Sequence, residues 1–135
     1  MLQKIREWAT ELGFQQLGIT GVDLGEHEAY LQQWLAAGHH GSMDYMARHG
    51  SKRARPEELV PGTLRVIALR MDYLDPDTQA LEVLAAPQKA YISRYTLGRD
   101  YHKLVRKRLS QLADRIEAEI GGGQYRAFVD SAPVL

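Results

Sequence analysis

The chain contains no cysteine. That one absence excludes disulfides, thiolate metal sites, thiol nucleophiles and an all-cysteine iron–sulfur cluster held by these residues. Nor is there an excess of charge of either sign, because 17 Lys and Arg meet 17 Asp and Glu. A globally basic nucleic-acid binder is not indicated, and any polyanion would have to be met by a local patch. No apolar run approaches the roughly 20 residues of a membrane span. The opening Met1-Leu2-Gln3-Lys4-Ile5-Arg6-Glu7-Trp8 has no apolar signal-peptide core. A cytoplasmic protein that makes no use of a membrane is expected. P-loop, dinucleotide fingerprint and Gly-x-Ser-x-Gly elbow are all lacking. His39 and His40 are adjacent, so they do not share a helix face, and no matching ligands lie near them in sequence. No metal site is expected there.

What is present is ordinary for a folded domain. The 135 residues are 44% apolar and 25% charged, which fits one domain with a real core rather than disorder. Leu2, Ile5, Trp8, Ala9 and Leu12 recur at helical spacing, with Gly13 as the stop. Leu17 to Thr20 reads as a strand. Glu26 to Ala37 reads as a helix with Tyr30, Leu31, Trp34 and Leu35 inward, ended by Gly38. Ser42 is placed to cap a short helix over Met43 to His49.

Leu64 to Tyr73 is a near-continuous apolar run, the pattern of a strand covered on both faces. Leu81 to Ala85 suits a helical turn, and Ala90 to Thr96 a further strand. Asp100 caps the longest helix, whose apolar stripe is Tyr101, Leu104, Val105, Leu109, Leu112, Ala113, Ile116 and Ile120, stopped by Gly121-Gly122-Gly123. Tyr125 to Val129 reads as the last strand. Interspersed helices and strands predict an α+β (α/β-like) fold, a mixed sheet flanked by helices. The apolar end Val134-Leu135, directly after a turn motif, suggests part of a longer protein.

Three places carry chemistry. Asp130 follows a predicted strand, where ligands gather in open α/β sheets. Shielded there, its pKa would rise and it could deliver a proton at neutral pH. Read from spacing alone, a turn aspartate is the favoured reading, with Ser131 and Pro133 behind it.

The second place is Tyr95-Thr96-Leu97-Gly98-Arg99-Asp100-Tyr101-His102. Here Gly98 permits close approach or a positive φ. Arg99, Lys103, Arg106, Lys107 and Arg108 crowd a helix amino terminus that prefers anions. A bound phosphate would offset that charge, and solvation beyond the first turn would explain it as well. The tyrosines at 91, 95 and 101 suit stacking on a flat ligand as much as core packing. The third place is the basic loop of Arg48, His49, Lys52, Arg53 and Arg55. Its arginine forks match carboxylates, amides and phosphates, although a solvated loop is the plainer reading.

Four segments together resemble one family: Gly41-Ser42-Met43-Asp44-Tyr45-Met46; Arg53-Ala54-Arg55-Pro56 with Leu59-Val60-Pro61-Gly62; Ile92-Ser93-Arg94-Tyr95 with Gly98-Arg99-Asp100-Tyr101-His102; and Phe128-Val129-Asp130-Ser131-Ala132-Pro133-Val134-Leu135. In this order they are similar to the amino-terminal domain of epoxyqueuosine reductases, over nearly the whole chain. The resemblance implies a nitroreductase-like fold whose residues 1–135 bind cobalamin. It also implies an oxidoreductase, monomeric at full length, that converts epoxyqueuosine to queuosine in a tRNA anticodon loop.

Asp130 would match the family's proton donor, and Arg53 and Ser93 its cobalamin contacts. Tyr95, Tyr101 and His102 would lie near the cofactor. Arg48, Lys52, Arg55, Arg99 and Lys103 become candidates to meet the tRNA backbone. The family's iron–sulfur and helical-repeat regions have no counterpart here, so the 135 residues alone are not expected to turn over. Two other readings remain open from the residues: a flavin-binding nitroreductase-like enzyme, and a non-enzymatic tRNA-binding module.

Overall fold

The computed structural model describes residues 1–74, 77 and 79–129. In chain order the elements are α1 (Leu2–Glu11), β1 (Gln16–Thr20), α2 (Glu26–Ala36), α3 (Tyr45–Arg48), a 3₁₀ turn (Gly50–Arg53), α4 (Pro56–Leu59), β2 (Val66–Arg70), α5 (Ala80–Ala85), a second 3₁₀ turn (Arg94–Thr96) and α6 (Tyr101–Ile120). β1 and β2 pair as a two-stranded sheet. At its edge Gln15 N donates to Arg70 O at 2.9 Å, and the Gln15 side chain accepts from Asp72 N at 2.8 Å. No helix among the described residues is long and apolar enough to cross a membrane.

The chain divides into two compact units. The first joins residues 1–16 to 69–127 and is built on α1 against α6. Ile5 and Ala9, one turn apart on α1, are buried, as are Phe14 and Leu112. Two ion pairs flank this seam: Lys4 with Glu119, and Arg115 Nη1 with Glu11 Oε2 at 2.6 Å.

The end of α1 follows from its sequence. Gly13 takes φ +83, so that Gly13 N reaches Thr10 O and Phe14 N reaches Ala9 O, both at 2.9 Å. This double bond satisfies carbonyls the helix would otherwise leave open, and it turns Phe14 inward. Gly38, at φ +71, ends α2 the same way, with Gly38 N on Leu35 O and His39 N on Trp34 O.

The second unit joins residues 17–68 to Phe128 and Val129. Its buried side chains are Leu31 of α2, Arg53 and Ala54 beside α4, and Val129.

The α+β content agrees with the sequence reading, but the sheet is smaller. The strand expected over Ala90 to Thr96 is instead an irregular stretch closing in the Arg94–Thr96 turn. Ser93 O accepts both Thr96 N at 3.1 Å and Thr96 Oγ1 at 2.6 Å, a local closure that competes with strand pairing. Tyr125 to Val129 forms no strand either. After three glycines with positive φ, Tyr125 is tied by its hydroxyl to Asp114 Oδ1 at 2.6 Å, a side-chain anchor on α6 in place of a ladder. Ser42 caps nothing: α3 begins at Tyr45 after Asp44, without a side-chain cap.

Candidate functional site

Residues 93–103 of the first unit build one cluster. Gly98 takes φ +93, delivering the chain to Asp100. The Asp100 carboxylate accepts His102 N at 3.0 Å and so caps α6, as its residue type predicts. The same Oδ1 lies 2.9 Å from His102 Nδ1. These two bonds, the side-chain one first, hold the Asp100 carboxyl below the usual carboxylate range. The His102 ring stacks on Tyr101 with centroids 4.2 Å apart and planes 26° apart. Tyr95 meets Tyr101 edge-on at 6.3 Å. Tyr95, Tyr101 and His102, singled out from the sequence, are therefore in contact. Ser93 starts the same turn, and Arg99 and Lys103 are exposed around it.

Arg94, which the sequence reading passed over, belongs to this segment. Its Nε is buried and has no hydrogen-bond partner among the described residues. A buried donor left open is costly, and an arginine in an expected strand gives no sign of it.

Arg53 and the basic loop belong to the second unit. Arg53 is 8% exposed. Its Nε donates to Met46 O and its Nη2 to Tyr45 O, both at 3.1 Å. Tyr45 and Met46 open the single turn of α3, which is too short to satisfy their carbonyls internally, so the guanidinium fork supplies the missing donors.

Arg55 is also engaged. Its Nε pairs with Glu28 Oε2 at 3.1 Å and its Nη1 with Glu58 Oε1 at 3.0 Å. Hydrogen bonds to Glu28 and then Glu58 keep its charge even more firmly than usual. Ser51 Oγ and Arg55 in turn depress the Glu58 carboxyl. The loop has no acid in its own sequence, but α2 and α4 bring two acids to it. Arg48 and Lys52 are exposed and carry no ion pair among the described residues. Asp130 lies outside the described residues; Val129, just before it, is buried.

The backbone of the whole chain superposes on the structure of epoxyqueuosine reductase from Streptococcus thermophilus with a TM-score of 0.77 at 22% identity, covering 36% of that chain. The α+β fold is thus that of a segment of that enzyme. The family model described as epoxyqueuosine reductase QueG, DUF1730, matches residues 53–131, more than half of the sequence. The chain belongs to this epoxyqueuosine reductase family. It is 71% identical over 135 residues to epoxyqueuosine reductase of Pseudomonas aeruginosa. It is 60% identical to that of Vibrio cholerae and 55% identical to that of Escherichia coli. All of this chain aligns in each case, and it spans 37%, 37% and 36% of those relatives.

Proposed function

We propose that this chain is the amino-terminal, cobalamin-binding part of a nitroreductase-like oxidoreductase that reduces epoxyqueuosine to queuosine in tRNA in the cytoplasm, with the iron–sulfur clusters supplied elsewhere in the protein. The observation that carries the reading is the family match over residues 53–131. It takes in Arg53, Ser93, Tyr95, Tyr101, His102 and Asp130 together.

The residues present suit a corrinoid, whose rim carries neutral amide side arms. The open donor at buried Arg94 Nε asks for an acceptor such as an amide carbonyl. Ser93 beside it supplies a hydroxyl, and the Tyr95–Tyr101–His102 stack offers an aromatic flank. When bound, reduced cobalamin supplies the electrons for the epoxide. The chain's own part is to seat that group, to exclude water, and to hold at the Asp130 carboxyl a proton for the oxygen that leaves carbon. The exposed cations Arg48, Lys52, Arg99 and Lys103 are suited to phosphates of the tRNA.

The test uses the full-length protein, loaded with cobalamin, supplied with reductant and offered tRNA bearing epoxyqueuosine. Mass spectrometry of the nucleosides should show queuosine. Asp130→Asn should keep cobalamin, seen in its absorption spectrum, and lose most turnover. Full turnover by Asp130→Asn would remove the acid assignment, and no queuosine from the unmutated protein would remove the function.

A further inference from the structure

We propose that Glu28 and Glu58 clamp Arg55 and withhold it from RNA phosphates, so that the basic loop meets the tRNA backbone through Arg48 and Lys52 and binds other RNA poorly. This selectivity rests on the tRNA substrate proposed above.

Three elements of the second unit assemble the clamp. Pro56 restricts the residue before it to extended backbone, and Arg55 takes φ −125 and ψ 88. Glu58 N donates to Arg55 O at 3.0 Å in the turn that opens α4, which brings the two side chains together. Arg55 Nη1 donates to Glu58 Oε1 at 3.0 Å. The other oxygen of that carboxylate, Oε2, accepts Ser51 Oγ from the 3₁₀ turn at 2.5 Å. From α2 comes Glu28, whose Oε2 accepts Arg55 Nε at 3.1 Å. Two acids therefore hold one guanidinium, and Ser51 fixes which oxygen of Glu58 is left for it.

Stability does not require this arrangement. Exposed ion pairs contribute little, and all three side chains are open to water, Arg55 at 48%, Glu58 at 36% and Glu28 at 29%. The anchor of the segment is the neighbouring Arg53, buried and bonded to two carbonyls.

What the clamp changes is the field. One guanidinium and two carboxylates carry net negative charge, and a phosphate that approaches Arg55 meets it. Ser51 and then Arg55 hold the Glu58 carboxyl below its usual range, so this side of the clamp stays charged at neutral pH. Arg48 and Lys52, exposed in the same loop, make no ion pair among the described residues. A loop of unopposed cations would take any polyphosphate. Discrimination follows when a repulsive group stands where the wrong partner would gain a contact, and Glu28 and Glu58 stand there.

The experiment uses the full-length protein and measures filter binding of tRNA bearing epoxyqueuosine, and of poly(U), across a salt series. The double variant Glu28→Gln with Glu58→Gln keeps the shape of both side chains and removes their charge. Its salt slope should steepen by about one for both RNAs as Arg55 becomes a phosphate contact, and its preference for the tRNA over poly(U) should fall. Each single substitution should give part of that change. Glu57 is exposed on the same helix and does not act on Arg55, so Glu57→Gln should leave slope and preference as they are. Adding Arg55→Ala to the double variant should restore the native slope. An unchanged slope in the double and both single variants, or a gain that survives Arg55→Ala, overturns the clamp and leaves the proposed function standing. Failure of the native protein to bind the tRNA overturns the tRNA reading and the clamp with it.

Discussion

Arg108 of α6 closes over Gly13 at the end of α1: a Cβ added to Gly13 would stand 2.6 Å from Arg108 Nη1. Arg108 Nη1 also lies 3.5 Å from Met71 Sδ. The guanidinium is the far end of a flexible side chain and can swing aside. The φ of +83 at Gly13 cannot relax without undoing the helix end. Gly13→Ala should therefore destabilise the protein by about 1–2 kcal/mol, the cost of a left-handed non-glycine residue. Gly13→Asn should cost less, since asparagine tolerates that region better. Urea unfolding of the three proteins checks the order, and an alanine variant as stable as the parent would contradict it.

Arg53 combines a proposed cofactor role with an observed structural one. Removing its fork leaves the Tyr45 and Met46 carbonyls without their donor. Arg53→Ala should cost about 2–3 kcal/mol, with Arg53→Lys recovering only part because an ammonium cannot reproduce the fork. Cobalamin affinity should then be compared at a temperature where both variants are folded. Affinity that follows stability in both variants marks a structural role, and affinity lost in a stable Arg53→Lys marks direct contact.

The basic loop should bind RNA unevenly. Arg55 is occupied by Glu28 and Glu58, whereas Arg48 and Lys52 are not paired among the described residues. In the full-length protein, Arg48→Ala and Lys52→Ala should weaken tRNA binding and each reduce the salt slope by about one. Arg55→Ala should change the slope less. Filter binding at several salt concentrations measures this, and a larger change for Arg55→Ala would show that its acids release it to phosphate.

Acid should loosen two places together. The Asp100 and Glu58 carboxyls are both depressed, the first by His102 and the second by Ser51 and then Arg55. A depressed carboxyl adds stability above its unfolded pKa and loses it as pH falls through the folded value. The Asp100 contribution should be intact above its ordinary value of 3.8 and fade below it. Thermal melts from pH 6 down to about pH 2 should show an acid-side fall that is shallower in Asp100→Asn. Identical acid limbs would contradict the assignment.

Tyr125 should behave oppositely. Its hydroxyl donates to Asp114, which raises its pKa above the ordinary 10.0. The raised group stabilises the fold below the unfolded pKa and loses that contribution as pH rises through the folded one. Ultraviolet titration of tyrosinate should lose a late-ionising component in Tyr125→Phe or Asp114→Ala. An unchanged titration in both would show that the bond does not persist.

Sequence by itself determined whatever is local or repeated along the chain. The spacing of Ile5 and Ala9 chose the buried face of α1, Gly13 and Gly38 chose the helix ends, and Asp100 chose the start of α6, because caps and helical periodicity act within a turn or two. The family resemblance was also legible, carried by ordered short motifs, and the match over residues 53–131 agrees with it.

Tertiary structure alone decided the rest. Two expected strands were lost to side-chain closures at Thr96 and Tyr125, since a short apolar run becomes a strand only when a partner edge outcompetes such bonds. It also spent the Arg53 fork on α3 and brought Glu28 from 27 positions away to Arg55. A sequence names which groups are charged. Only the folded chain sets which charges already have partners, because Coulomb and hydrogen-bond energies depend on distances that the chain acquires when it folds.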